Sequence, residues 1–175
     1  MGLIEWSREF RSEKFSKAGE FFLNLGISAN VMTTISLLLG LGAVYFLFQN
    51  LWLFAILGIA HIIADGLDGV IARVSQSTVF GSYYDKFNDT IIPILLLIKV
   101  QIHLEDYYVL MILGLYVLAN LVYFLSEFKY KFFNSRMVLI MGLILGFPIL
   151  AYLACGIATV YSLALQLQQF IKTKI

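Results

Sequence analysis

The chain has one cysteine, two prolines and few charges. A lone cysteine, Cys155, can form neither an intrachain disulfide nor a multi-cysteine metal site, and its apolar neighbours assign it to packing. With proline only at positions 93 and 148, long stretches are free to be helical. Charged residues make up 13% of the 175 residues against 61% hydrophobic, and mean hydropathy is +0.88. That is more apolar material than a soluble core of this size requires. A net charge of +1 gives no attraction for nucleic acid. The opening "EWSREFRSEKFSKAGEFF" interrupts any apolar signal-peptide core with charge every few positions, so it is expected to be retained. No internal repeat or low-complexity tract is present.

What the chain has instead is apolar runs approaching the roughly 20 residues needed to cross a hydrocarbon core. They predict an all-α, polytopic membrane protein with six transmembrane helices, over residues 29–48, 51–74, 82–100, 107–125, 137–147 and 149–170. The fifth is short and ends at Pro148, so one long bent helix in place of the last two is the main alternative. Residues 1–25, with Trp6, Phe10, Phe15, Phe21 and Phe22 among mixed charges, read as a juxtamembrane interfacial amphipathic helix. Residues 26–175 read as the transmembrane bundle of a single membrane domain. Gly26 suits the end of the first helix and Asn30 the cap of the next.

Basic residues orient the bundle. Arg8, Arg11, Lys14, Lys17, Arg73, Lys86, Lys129, Lys131, Arg136, Lys172 and Lys174 fall on one side of a six-span arrangement, with Lys99 near the edge of the other. The positive-inside rule then puts both termini and the Asp65–Asp89 hairpin on the cytoplasmic side.

That hairpin, "IADGLDGVIARVSQSTVFGSYYDKFND", holds four aspartates. In helical spacing Asp65, Asp68, Gly69 and Ala72 share one face, as do Gly81, Asp85 and Asp89. Asp65 and Asp89 both lie about 12–14 Å along antiparallel helices from their connection, at one depth. An uncompensated charge in a bilayer costs about 2.5–3.5 kcal/mol or more, and Arg73 and Lys86 can offset only two. Converging carboxylates are hard oxygen ligands for Mg²⁺, Mn²⁺ or Ca²⁺, one ion or two. Gly69, Ala72 and Gly81 clear space beside them, which a bare ion does not need but a diphosphate does, and Arg73 can pair with a diphosphate through its planar fork.

The pattern Asp65-x2-Asp68-Gly69-x2-Ala72-Arg73-x7-Gly81-x3-Asp85-x3-Asp89 resembles the signature of the CDP-alcohol phosphotransferase family, with all eight positions filled. The resemblance implies transfer of a substituted phosphate group from a CDP-alcohol to an acceptor hydroxyl, with release of CMP, in phospholipid synthesis. It implies Asp65, Asp68, Asp85 and Asp89 as ligands of Mg²⁺ or Mn²⁺, two ions, with Asp89 also the catalytic base. It assigns Asn30, Val31, Gly69, Arg73, Thr78 and Gly81 to the CDP donor. "SANV" stands at the family's donor-binding turn, with Ala29 where many members have proline. A homodimer is also implied. The donor is expected to be a CDP-linked lipid such as CDP-diacylglycerol or CDP-archaeol, the mirror case being a soluble CDP-alcohol meeting a lipid hydroxyl. Lys129, Lys131 and Arg136 lean toward an acceptor with a phosphate, inositol phosphate or glycerol phosphate.

Plainer readings stand beside these. The aspartates alone fit an ion path or divalent-cation transporter, which leaves Gly69, Arg73 and Gly81 unexplained. His61, one turn before Asp65, reads as a buried polar partner rather than a ligand, and His103 as interfacial. Thr78 can cap a helix, and Lys129, Lys131 and Arg136 are also accounted for by topology. Pro93 cannot donate to the carbonyl of Asp89, which predicts a special geometry there.

Overall fold

A computed structural model describes residues 17–75, 78–130 and 132–174. Among these residues the chain forms seven helices and no strand. Helix α1 covers residues 17–24, followed by α2 (Ala29–Phe46), α3 (Leu51–Val74), α4 (Val79–Leu104), α5 (Tyr107–Leu125), α6 (Arg136–Ile144) and α7 (Pro148–Lys174). Five of them, α2, α3, α4, α5 and α7, are long and apolar enough to cross a bilayer, so the chain is an integral membrane protein. The expected amphipathic face of residues 1–25 rests largely on positions outside the described residues.

The expected fifth span is where the sequence and the structure differ. Helix α6 has nine residues and rises only about 13 Å, under half of a hydrocarbon core. Gly146 stops it: its φ of +78° lets its N–H reach Leu143 O at 3.1 Å while Phe147 N–H reaches Gly142 O at 3.0 Å, closing the last turn on itself. Pro148 then begins α7 with a fixed φ and no donor to lose, so the two do not merge into one bent helix.

The chain falls into two compact units, the first comprising Met1–Gly42 and Ile56–Asn88, the second Ala43–Ala55 and Asp89–Ile175. In the first, Gly26 (φ +77°) ends α1 as expected, with Gly26 N–H on Leu23 O and Ile27 N–H on Phe22 O. The next cap is Ser28 rather than Asn30. Ser28 Oγ accepts from Val31 N–H at 3.4 Å, which puts Asn30 inside the first turn of α2. A Cβ at Gly19 would stand 3.1 Å from the Val70 carbonyl and closer still to Val74 Cγ2, so glycine is what lets α1 lie against α3. Met32, Ala64 and Ile71 form the core there, with Phe22, Leu23 and Leu67 packed on it. Helix α2 presents Val31, Ile35, Leu38 and Leu41 outward at helical spacing and keeps Thr33 and Ser36 buried on the other side. An apolar stripe outside and hydroxyls inside is the inverse of a soluble helix, as a lipid solvent demands.

In the second unit, α7 packs on α5 and α6. Gly142 meets Ala151, where an added Cβ would stand 2.7 Å from the alanine's own. Small residues set this approach. Lys99, inside a span, donates from Nζ to Val44 O at 2.7 Å and also to Tyr45 O. Placing a cation on the last carbonyls of α2 compensates both partners. His103 stacks on Phe48 with centroids 3.9 Å apart.

Candidate functional site

Asp65 and Asp68 stand three residues apart on α3, so they share a face, and α4 brings Asp85 to them. One carboxylate oxygen from each lies within 4.8 Å of the other two. At the usual bond length of ~2.1 Å, ligands of one Mg²⁺ stand about 3.0 Å apart when adjacent and about 4.2 Å when opposite, so the three carboxylates are near enough for side-chain rotation to bring them onto one ion. The donor set is oxygen only, which fits a hard divalent cation rather than a soft metal. Asp68 is buried, with 3% of its surface exposed. Lys86 Nζ, 2.9 Å from Asp85 Oδ2, offsets one charge at a half-exposed position. Arg73 is exposed, in the last turn of α3. Gathering three carboxylates at one place, Asp68 buried and Asp65 and Asp85 partly so, is the electrostatic argument for a cation.

Helix α2 supplies the hydroxyls that hold these groups. Thr33 Oγ1 lies 2.7 Å from Asp68 Oδ2. Ser36 and His61 are both fully buried; His61 Nδ1 stands 2.9 Å from Ser36 O and 2.9 Å from Ser36 Oγ. A carbonyl only accepts, so Nδ1 carries the proton. Ser36 Oγ also takes a 3.1 Å bond from Asn88 Nδ2. One serine thus ties α2 to α3 and α4, and the bonds of His61 run to Ser36 on α2, a partner that its place one turn before Asp65 does not indicate.

Beside the cluster is a cavity of ≈330 Å³, at the lower end of small-ligand sites. Of the residues singled out for a CDP donor, Asn30, Gly69, Thr78 and Gly81 line it together with Asp68 and Asp85. Val31 and Arg73 are not among its lining residues. A Cβ at Gly69 would meet nothing within 4 Å, so this glycine opens the cavity. Gly81 has a different reason to be glycine: a Cβ there would come within 2.7 Å of Asn30 Oδ1 and 3.0 Å of Thr78 Oγ1. It makes room for the asparagine. Thr78 caps α4, accepting from Gly81 N–H at 3.0 Å, and lines the cavity as well. Sequence reasoning misses Thr33, Ser75 and Ser82, which also line it. The hydroxyls of Thr33 and Ser36 fall opposite the stripe of Val31, Ile35, Leu38 and Leu41, but only packing shows that this face is the buried one.

Asp89 belongs to the second unit. There its Oδ1 lies 2.7 Å from Arg136 Nη1, with side chains 16% and 8% exposed. Its carbonyl, which Pro93 cannot serve, receives the Tyr116 hydroxyl at 3.5 Å, while α4 runs on unbroken. Arg136 begins α6, its N–H on Asn134 Oδ1 at 3.0 Å. Lys129 is in a different setting, an exposed pair with Glu127 at 2.9 Å. That hydrogen bond and the charge of its partner hold the Glu127 carboxyl below its ordinary range and the Lys129 ammonium above it. Lys131 lies outside the described residues.

The family model described as CDP-alcohol phosphatidyltransferase matches residues 26–171, which takes in both units and every described position named above for the site. No curated protein matches the chain.

Proposed function

The chain belongs to the CDP-alcohol phosphatidyltransferase family, whose reaction moves a substituted phosphate from a CDP-alcohol to a hydroxyl and releases CMP, and within it we propose a CDP-linked lipid donor and a phosphorylated polyol acceptor. CDP-diacylglycerol or CDP-archaeol fits the donor role. Inositol phosphate or glycerol phosphate fits the acceptor role. The observation that carries the reading is the cavity in which Gly69, Thr78 and Asn30 stand beside Asp68 and Asp85. A nucleotide diphosphate needs this combination of open backbone, small polar donors and adjoining cation ligands.

Asp65, Asp68 and Asp85 would hold the cation, with Asp89, one helical turn after Asp85, as a further ligand and as the base. When bound, Mg²⁺ or Mn²⁺ neutralises the diphosphate and the CMP that leaves; the motif argues for two ions. Asp89 takes the proton from the acceptor hydroxyl. Arg136, a buried guanidinium, supports an anionic acceptor because its planar fork matches a phosphate.

Six crossings and cytoplasmic termini remain the topology of this proposal, the whole chain acting as one membrane domain and pairing as a homodimer, as the family resemblance implies. A sixth crossing needs the non-helical residues around α6 to lie at membrane depth, which backbone tolerates only when its polar groups are satisfied within the protein. Phe133 N–H on Ser162 Oγ at 2.9 Å and Arg136 N–H on Asn134 Oδ1 support it. So does charge: five crossings would put Lys172 and Lys174 opposite the N-terminal bases.

The test is CMP release from purified protein given CDP-diacylglycerol or its archaeol counterpart, Mg²⁺ or Mn²⁺, and each acceptor in turn. Release with glycerol phosphate or inositol phosphate, and little with serine or free inositol, is the expected result. Release only with soluble CDP-alcohols and a lipid hydroxyl reverses the assignment of donor and acceptor.

A further inference from the structure

Asp89 and Arg136 form a close, largely buried ion pair. Under the function proposed above, on which this inference rests, Asp89 is the base, yet a carboxylate held by a guanidinium is poorly placed to take a proton from anything else. Neither partner sits inside an unbroken helical hydrogen-bond ladder. Arg136 is the first residue of α6 and follows the non-helical residues 132–135, while Pro93 offers no N–H to the Asp89 carbonyl, which receives the Tyr116 hydroxyl at 3.5 Å.

We propose that Arg136 is a positioning residue that restrains Asp89 until an anionic acceptor arrives, and that the acceptor's phosphate, by competing for the guanidinium, frees the base for its own hydroxyl. The restraint has a chemical purpose. Water can take the acceptor's place: its oxygen bonds to the phosphorus that carries the alcohol, the bond from that phosphorus to the bridging oxygen breaks with its electron pair leaving on CMP, and the water proton passes to Asp89. The products are CMP and the alcohol phosphate, and the activated donor is wasted. Tying release of the base to the acceptor's own phosphate suppresses this side reaction, since water brings no charge to exchange for the carboxylate.

The experiment measures acceptor-free CMP release from the full chain with CDP-diacylglycerol and Mg²⁺, with and without methylphosphonate, which carries the anion but no hydroxyl to receive the group. Wild-type release is expected to be slow and to rise about tenfold or more with methylphosphonate, the scale of a displaced charge-assisted bond. Methylphosphonate should at the same time compete with the phosphorylated acceptor in transfer. Arg136→Gln should release CMP quickly without any anion and ignore methylphosphonate, whereas Arg136→Lys should remain restrained. A purely structural pair would not respond to a small anion in this way. Should Arg136→Gln fail to fold, the wild-type response alone decides. Methylphosphonate that inhibits transfer, or has no effect, without raising hydrolysis overturns the restraint. Absence of CMP release with any acceptor overturns the function itself, and is seen in the acceptor screen.

Discussion

The hydroxyl of Thr33 lies 2.7 Å from the buried carboxylate of Asp68 and 3.0 Å from the carbonyl of Ala29. It has one proton for two acceptors. With Asp68 ionised, as a cation requires, the proton goes to the carboxylate, because a charge-assisted bond is about twice as strong as a neutral one. Thr33 therefore orients the carboxylate of Asp68 for the cation proposed there.

Thr33→Val keeps the shape and removes the donor, so Mn²⁺ affinity should fall roughly ten- to a hundredfold, as it does when outer partners of metal ligands are lost. Thr33→Ser should retain it. Isothermal titration on both variants checks this, and equal affinities would remove Thr33 from the site.

Asp65→Ala and Asp68→Ala should each weaken Mn²⁺ and CDP-donor binding together, since the diphosphate is held through the cation. Unchanged Mn²⁺ affinity in both would contradict a shared ion at the three carboxylates that lie within 4.8 Å.

The acidic cluster is legible in the sequence because helical spacing alone puts Asp65 with Asp68, and an apolar setting makes their charge conspicuous. What supports it is less so. Thr33 and Ser36 belong to a helix whose composition is otherwise ordinary for a span, and only packing reveals which face they occupy. Gly81 reads as space for a ligand, whereas the space goes to Asn30. Arg136 looks like a loop charge obeying topology, and nothing local predicts a partner 47 residues earlier, because ion pairs between distant helices depend on tertiary geometry. The shortness of α6 is legible from Pro148, but the place of its stop is not: apolar residues run through it, and the turn comes from the backbone at Gly146.

Gly69→Ala separates folding from binding. With nothing within 4 Å of the new Cβ, the helix should tolerate it and gain up to about 1 kcal/mol from lost backbone freedom in the unfolded chain. The methyl group points into the cavity. A higher thermal midpoint with a raised donor KM and unchanged Mn²⁺ affinity is expected; an unchanged donor KM would place the nucleotide elsewhere.

Asp89→Asn should abolish transfer while CDP-donor binding persists, because an amide cannot take a proton and three carboxylates remain for the cation. A loss of activity by itself is ambiguous here, since the substitution also strands Arg136. Removing one partner of a buried pair commonly costs about 3–5 kcal/mol, as the other charge is left uncompensated. The double variant Asp89→Asn with Arg136→Gln separates the two effects. Removing both charges should restore most of the stability lost in the single variant, read as the thermal midpoint, because no uncompensated ion remains. If Asp89 is the base, CMP release with the acceptor should stay at background in the double variant even though it folds. Recovery of transfer along with stability would make Asp89 a structural partner of Arg136, and the proton of the acceptor hydroxyl would then have to go to another group.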